Sequence, residues 1–262
     1  PDILVVDEAL SVGDIYFQSR CFKKMDDIKK KGTTILLVTH DMSSVIKYCD
    51  KVVLLNHGKV VKEGSPKEMV DIYKKILVNQ YDENEDGNGK KAENNLSAVE
   101  GSWMSQLSLN DQNTLYGDGK ARTIDFGFFD ENGQVTGMIL KKSNFAIKMK
   151  VEFYEDIEYP IFSYTIKNAR GAEITGTNTM FEKIDFPLAK KGEQYIVTFT
   201  QKALLQGGDY LISFGVTGYE NGVFTVYDRK YDVANLSIVS EQNTVGVFDM
   251  DAKITVERVE HD

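Results

Sequence analysis

The segment NFAIKMKVEF, residues 144–153, alternates without a break. Phe145, Ile147, Met149, Val151 and Phe153 fall on one side, and Lys148, Lys150 and Glu152 on the other. Side chains of an extended chain point to opposite faces with a period of two, whereas a helix repeats every 3.6 residues. Five apolar positions in strict alternation therefore predict a strand that buries one face. Strand signals recur from about Tyr116 onward, in 122–129, 161–167, 172–179, 194–200, 209–216, 223–227, 234–239 and 252–259. Turn formers separate them at Glu131-Asn132-Gly133, Ala169-Arg170-Gly171, Gly207-Gly208-Asp209 and Asn221-Gly222. Short strands at this spacing, with almost no helical stretch, predict an antiparallel β-sandwich over residues 114–262.

Residues 1–77 show a different pattern. ILVV runs unbroken into Asp7, and TTILLVTH (33–40) is a second continuous apolar run. Such runs predict strands of a parallel sheet, buried on both faces. Helical spacing of Phe17, Cys21, Met25 and Ile28, with Gly32 as a stop, predicts a helix over 14–31, and 41–48 predicts a short one. Residues 51–64 predict a hairpin turning at Asn56-His57-Gly58. Ser65-Pro66 with Glu68 is the start signal of a helix reaching Leu77. Strands alternating with helices predict an α/β unit. Between the two units lies 78–113, where YDENEDGNGKKAENN (81–95) has too few apolar residues to order itself, so the stretch is read as an acidic linker.

The net charge of −9 is uneven: +2 over residues 1–75, −5 over 76–113 and −6 over 114–262. An acidic C-terminal half argues against nucleic acid as a partner, because phosphate backbones are gripped by basic faces. No apolar run approaches the roughly 18 residues of a membrane span. Two cysteines, Cys21 and Cys49, make no disulfide framework, which points to a reducing compartment.

The carboxylates ending ILVVDE sit where a parallel sheet presents ligands, at the C-terminal ends of its strands. An acid there can help hold a phosphate-bound Mg²⁺, and its neighbour can polarise an attacking water. Asp14 comes six residues after Glu8, and Thr39-His40-Asp41 ends the next apolar run, with His40 33 residues after Asp7. This order resembles the C-terminal half of an ABC transporter ATP-binding subunit. The resemblance implies that Asp7 is the Walker B aspartate that supports Mg²⁺ and that Glu8 is the catalytic carboxylate. It makes ALSVGD (9–14) a D-loop whose Asp14 couples two subunits, and His40 the switch histidine at the γ-phosphate. No GxxxxGK[ST] phosphate loop and no LSGGQ-like segment occurs in the chain. ATP and Mg²⁺ are therefore expected in the parent, and this chain alone is expected to bind and hydrolyse neither.

The D-loop wording resembles ATP-binding subunits that export O-antigen, capsule or teichoic acid. GDGKARTIDFGFFDENGQ (117–134), LLQGGDYLISFGV (204–216) and VGVFDMDAKITVE (245–257) resemble the C-terminal carbohydrate-binding domain of the Wzt type. That resemblance implies an immunoglobulin-like β-sandwich, a homodimer formed by strand exchange, a membrane-embedded permease partner and an exported polysaccharide as ligand. The subunit would lie at the cytoplasmic face of the membrane. Sugars stack on aromatic faces, so the candidates are Trp103, Tyr154, Tyr159, Tyr164, Tyr219 and Tyr227. Asp228, Arg229 and Asp232 could meet sugar hydroxyls or form a solvated loop. Trp103 could equally staple the linker to the sandwich. The alternative role for the β-domain is dimerisation or docking without a ligand.

Overall fold

The computed structural model describes residues 2–8, 15–77 and 98–258. The chain divides into two compact units, Pro1–Leu77 and Val78–Asp262.

In the first unit, strand β1 (Ile3–Asp7) is followed by helix α1 (Ile15–Lys29), β2 (Thr34–Val38) and α2 (Met42–Tyr48). The hairpin β3 (Val52–Asn56) and β4 (Lys59–Gly64) then leads into α3 (Pro66–Leu77). β1 and β2 pair in parallel from Ile3↔Thr34 to Asp7↔Val38. Ser65 Oγ accepts a hydrogen bond from the Glu68 N–H at 3.4 Å, the cap that the Ser-Pro start signal predicts. Met25, Val45, Leu54, Met69, Val70 and Ile72 form the buried apolar set. The two apolar strands are not buried on both faces, as their sequence suggests. Ile3, Val5, Leu36 and Val38 are all more than half exposed. Among the described residues β1 and β2 form a two-stranded sheet, and alternate side chains have no second layer over them.

The second unit contains β5 (Thr114–Tyr116), β6 (Ala121–Phe129), β7 (Met138–Leu140), β8 (Asn144–Phe153) and β9 (Ile157–Glu158). It continues with β10 (Ile161–Asn168), β11 (Glu173–Asn178), β12 (Leu188–Ala189), β13 (Gln194–Lys202), β14 (Gly208–Glu220) and β15 (Val223–Val239). One sheet has the order β11-β10-β14-β15-β5, with β7 added in parallel to the end of β15. A second sheet has the order β13-β8-β6 and is antiparallel throughout. One buried cluster contains side chains of both sheets. Rings meet across it: Phe126 and Phe214 at 5.0 Å, Tyr164 and Phe199 at 5.0 Å, Phe153 and Phe162 at 6.2 Å. The five apolar residues of NFAIKMKVEF are all buried here. Full burial of each is worth about 1.5–3 kcal/mol, which is why this pattern sets the register.

Three expectations need correcting. First, residues 98–113 belong to the β unit and are not linker. Met104 is buried, Leu109 bridges to Ala234, and the N–H groups of Trp103 and Met104 donate to the Asp125 carboxylate at 3.0 and 3.1 Å. Apolar side chains in an otherwise polar stretch suffice to dock it. Residues 81–95 lie outside the described residues. Second, 223–227 and 234–239 are the two ends of a single 17-residue strand, β15. In its middle Asp228, Lys230 and Asp232 are charged yet buried, because these three are paired. The Asp228 carboxylate accepts from the Thr123 N–H at 2.8 Å and faces Lys230 Nζ at 3.4 Å, and Asp232 meets Lys167 Nζ at 3.0 Å. Third, 252–258 forms no strand, although its alternation is intact. Ile254 and Val256 are 85% and 94% exposed, and among the described residues no strand pairs with this segment.

Candidate functional site

The first site is the shared edge of β1 and β2. Parallel pairing in register brings both C-terminal ends to the same side, and the Glu8 N–H extends the ladder by donating to the Val38 carbonyl at 3.0 Å. Glu8 has a φ of 47°, in the left-handed region that costs a residue with a Cβ. That conformation turns the chain out of the strand. Beyond β2, the Asp41 N–H donates to Thr39 Oγ1 at 3.0 Å, while the Asp41 carboxylate caps α2 by accepting from the Ser44 N–H and hydroxyl at 3.3 and 2.6 Å. These contacts hold His40 between a strand end and a helix cap. His40 Nδ1 and Glu8 Oε1 are 2.7 Å apart. Both side chains are more than half exposed, so the pair is open to a ligand and adds little stability. Asp7 ends β1 directly before Glu8. Asp14 lies outside the described residues.

The second site is a groove of about 390 Å³ on the β unit. Its floor comes from β10 and β11, with Ser163 and Thr165 on the former, and its wall from the turn end of β14 and β15. Tyr219 and Phe224 flank the Asn221-Gly222 turn as cross-strand partners, with ring centroids 5.6 Å apart. Both rings are exposed and line the groove, as do Phe181 and Arg229. Tyr219 is one of the aromatic candidates read from the sequence. Phe224 is not, although an aromatic on each side of a two-residue turn is a legible cross-strand pair. Phe181 sits in the loop after β11 and carries no sequence signal.

The other aromatic candidates scatter. Tyr164 lines the groove but is 4% exposed, and its hydroxyl donates to Gln201 Oε1. Tyr227 is 1% exposed, and burial pushes its phenol up to about 12. Neither can offer a ring face to a sugar, which corrects that expectation: both occupy positions of the buried cluster. Trp103 staples residues 98–113 to the sandwich, with its ring edge-on to Phe129 at 5.2 Å. Gly127 makes room for it, since a Cβ there would lie 2.9 Å from the Trp103 Cβ. Tyr154 is exposed, but its hydroxyl is held by Glu152 Oε2 at 2.6 Å, away from the groove. Tyr159 is 64% exposed in a turn with a φ of 48° and also lies apart. Asp228 and Asp232 are buried structural acids rather than groove or loop residues. Of the three charged candidates on β15, only Arg229 reaches the groove.

Residues 112–250 match the family model described as Wzt C-terminal domain. Over 83 residues the chain is 47% identical to the ABC transporter protein AbcA of Aeromonas salmonicida, covering 32% of this chain and 27% of that protein. Over 77 residues, 29% of this chain, it is 44% identical to an O-antigen export system ATP-binding protein RfbB of Klebsiella pneumoniae, covering 31% of it. A similar stretch is 46% identical to the teichoic acids export ATP-binding protein TagH of Lactococcus lactis subsp. lactis, covering 16% of it. The chain thus spans less than a third of the length of these curated relatives. In fold, it is similar to the crystal structure of the C-terminal domain of Wzt, with a TM-score of 0.56 and 23% identity over 62% of this chain and 99% of that one.

Proposed function

Because this chain belongs to the Wzt C-terminal domain family through residues 112–250, we propose that it is the C-terminal part of the ATP-binding subunit of an ABC exporter. The exporter moves a cell-surface polysaccharide across the cytoplasmic membrane through a permease partner, and the β unit engages the glycan. On this reading residues 1–77 are the C-terminal part of the nucleotide-binding domain, and the β unit is an immunoglobulin-like sandwich. The observation that carries it is the 2.7 Å contact between Glu8 and His40 at the open edge of a parallel strand pair. On this reading Glu8 is the base and His40 the phosphate sensor, and their contact supports a shared site. Glu8 orients the attacking water, His40 reaches the γ-phosphate, and Asp14 couples to the second subunit. Among the described residues no three metal-binding side chains cluster. Asp7 would therefore share a Mg²⁺ with phosphates and water, which suits a hard ion that keeps much of its hydration shell. The bound Mg-ATP supplies the phosphoryl group. Among the described residues no helix is long and apolar enough to cross a membrane, which fits a subunit seated at the cytoplasmic face beside its permease.

The groove beside Tyr219 and Phe224 is the glycan site on this reading. Calorimetric titration of the chain with surface polysaccharide purified from the source cells should give saturable binding. Tyr219→Ala or Phe224→Ala should weaken it at least tenfold, because a stacking contact is worth about 0.5–1.5 kcal/mol beyond its buried area. Absence of binding to any polysaccharide fraction counts against the glycan role.

A specific observation also favours self-association. Residues 252–258 keep strand alternation without a partner strand among the described residues, and the segment leaves the sandwich from a fixed point. Asp251 is clamped by Lys142 at 2.8 Å and by Lys202, and these two ammonium groups pull its carboxyl down to about 2. A carboxyl lowered in this way keeps the clamp at every pH above its ordinary range, and loses it only as the pH falls towards 2. We propose that 252–258 pairs with an edge strand of a second copy. Removing residues 252–262 should then convert a dimer to a monomer in light scattering after size exclusion, with the circular dichroism spectrum retained. An unchanged mass would refute the exchange.

A further inference from the structure

The groove, taken as the glycan site, also bears on the charge of its occupant, and any charge preference rests on that assignment. Arg229 lies on β15 opposite Gly215 of β14 and Tyr116 of β5. A Cβ on Gly215 would stand 2.6 Å from Arg229 Nη1 and 2.7 Å from Ser163 Oγ. The glycine therefore leaves open the lane along which the guanidinium crosses β14 into the groove. There, Nη1 reaches Ser163 Oγ only at 3.5 Å. The guanidinium also lies 5.7 Å from the centroid of the Tyr231 ring. The Arg229 Nε is buried and makes no hydrogen bond. Among the described residues no carboxylate lies within ion-pair distance of this guanidinium.

The lysines with enclosed side chains behave differently. Lys141, Lys167 and Lys230 are each matched by a carboxylate: Asp249 at 3.0 Å, Asp232 at 3.0 Å and Asp228 at 3.4 Å. A buried donor left unmade is costly, and a guanidinium fork fits two oxygens of a carboxylate or phosphate. The chain as a whole carries −9, so its general field repels anions, and a preference for one must come from a local cation. We propose that the groove selects a glycan bearing an anionic group, a sugar carboxylate or a sugar phosphate, and that Arg229 is the residue that receives it. Tyr219 and Phe224 stack on the ring while Arg229 reads its charge.

The test uses the whole ¹⁵N-labelled chain and three monosaccharides of matched size: D-glucuronate, D-glucose 6-phosphate and D-glucose. The Arg229 Nε–H resonance should move with at least one anionic sugar, at an affinity at least tenfold above that for glucose. The two anionic arms separate carboxylate from phosphate. Arg229→Gln should bring all three affinities together, and Arg229→Lys, which keeps the charge and loses the fork, should retain part of the preference. Equal affinities in the native chain, a preference that survives Arg229→Gln, or a silent Arg229 overturns the proposal. If the rings of Tyr219 and Phe224 still respond to glucose in those cases, the glycan role of the groove stands. If those rings ignore the three sugars and the surface polysaccharide alike, the glycan role falls and the charge selection falls with it.

Discussion

Glu8→Gln in the full-length subunit is expected to cut ATP turnover by about 10²–10⁴-fold while leaving ATP affinity within a few-fold. The substitution is nearly isosteric. An amide in place of the Glu8 carboxylate can still accept from or donate to His40 Nδ1, which now sits 2.7 Å from Oε1. The strained backbone at a φ of 47° and the ladder bond to Val38 are independent of the side chain and stay as they are. What disappears is the capacity to take a proton from water. Single-turnover hydrolysis and nucleotide affinity, measured on the same preparation, separate the two effects. Turnover that persists would show that Glu8 is not the base and that its contact with His40 has only a local structural use. Equal loss of binding and turnover would point the same way.

Lys167→Met should destabilise the β unit by about 3–5 kcal/mol, the largest single effect expected for a substitution outside the apolar cluster. Lys167 and Asp232 are each 2% exposed at the side chain, and their contact is 3.0 Å. The ammonium also lies 4.4 Å from the centroid of Tyr231. Taking away the cation strands the Asp232 carboxylate in the interior, with Ser213 Oγ at 3.2 Å among its remaining neighbours. Adding Asp232→Asn should recover most of the loss, because the charge that could not be hydrated is gone. Asparagine also tolerates the φ of 54° that residue 232 adopts. Trp103, the chain's one tryptophan, packs on Phe129 and so reports β-unit unfolding in urea. If the single and double variants unfold at the same concentration as the native chain, the pair carries no stability. If the double variant is as weak as the single, lost packing and not a stranded charge is the cause.

These two sites also mark the limits of reading the chain from its letters. Strict alternation made β8 legible, because a one-residue slip would turn Phe145 through Phe153 out to solvent. The Glu8–His40 meeting was legible for another reason. Two apolar runs of equal length, each leading into polar chemistry, end at one edge once they pair in parallel. The middle of β15 was not legible. Asp228, Lys230 and Asp232 interrupt the apolar pattern, and their partners Thr123 and Lys167 lie far away in the chain. Alternation cannot report a charge that is neutralised by a residue from another strand. Tyr164 and Tyr227 misled for the converse reason: a phenol looks amphipathic in sequence, and only the fold shows that both rings are enclosed. The groove combined the two cases. Tyr219 stood out as an aromatic beside a turn, whereas Arg229 became distinctive only beside the enclosed lysines Lys141, Lys167 and Lys230, each of which meets an acid.

The clamped departure of the 252–258 segment carries one further consequence, for valence. Seven extended residues reach about 23–25 Å from the anchor at Asp251, and no further. If the edge strand of the receiving molecule lies within that radius of its own anchor, two copies trade ends and the assembly closes on itself as a pair. If the receiving edge lies elsewhere, each copy passes its end to the next, and the same unpaired segment would string molecules into an open chain. The lysines that grip Asp251 thus act as a ruler on assembly, because they set the radius within which the receiving edge must lie for the pair to close.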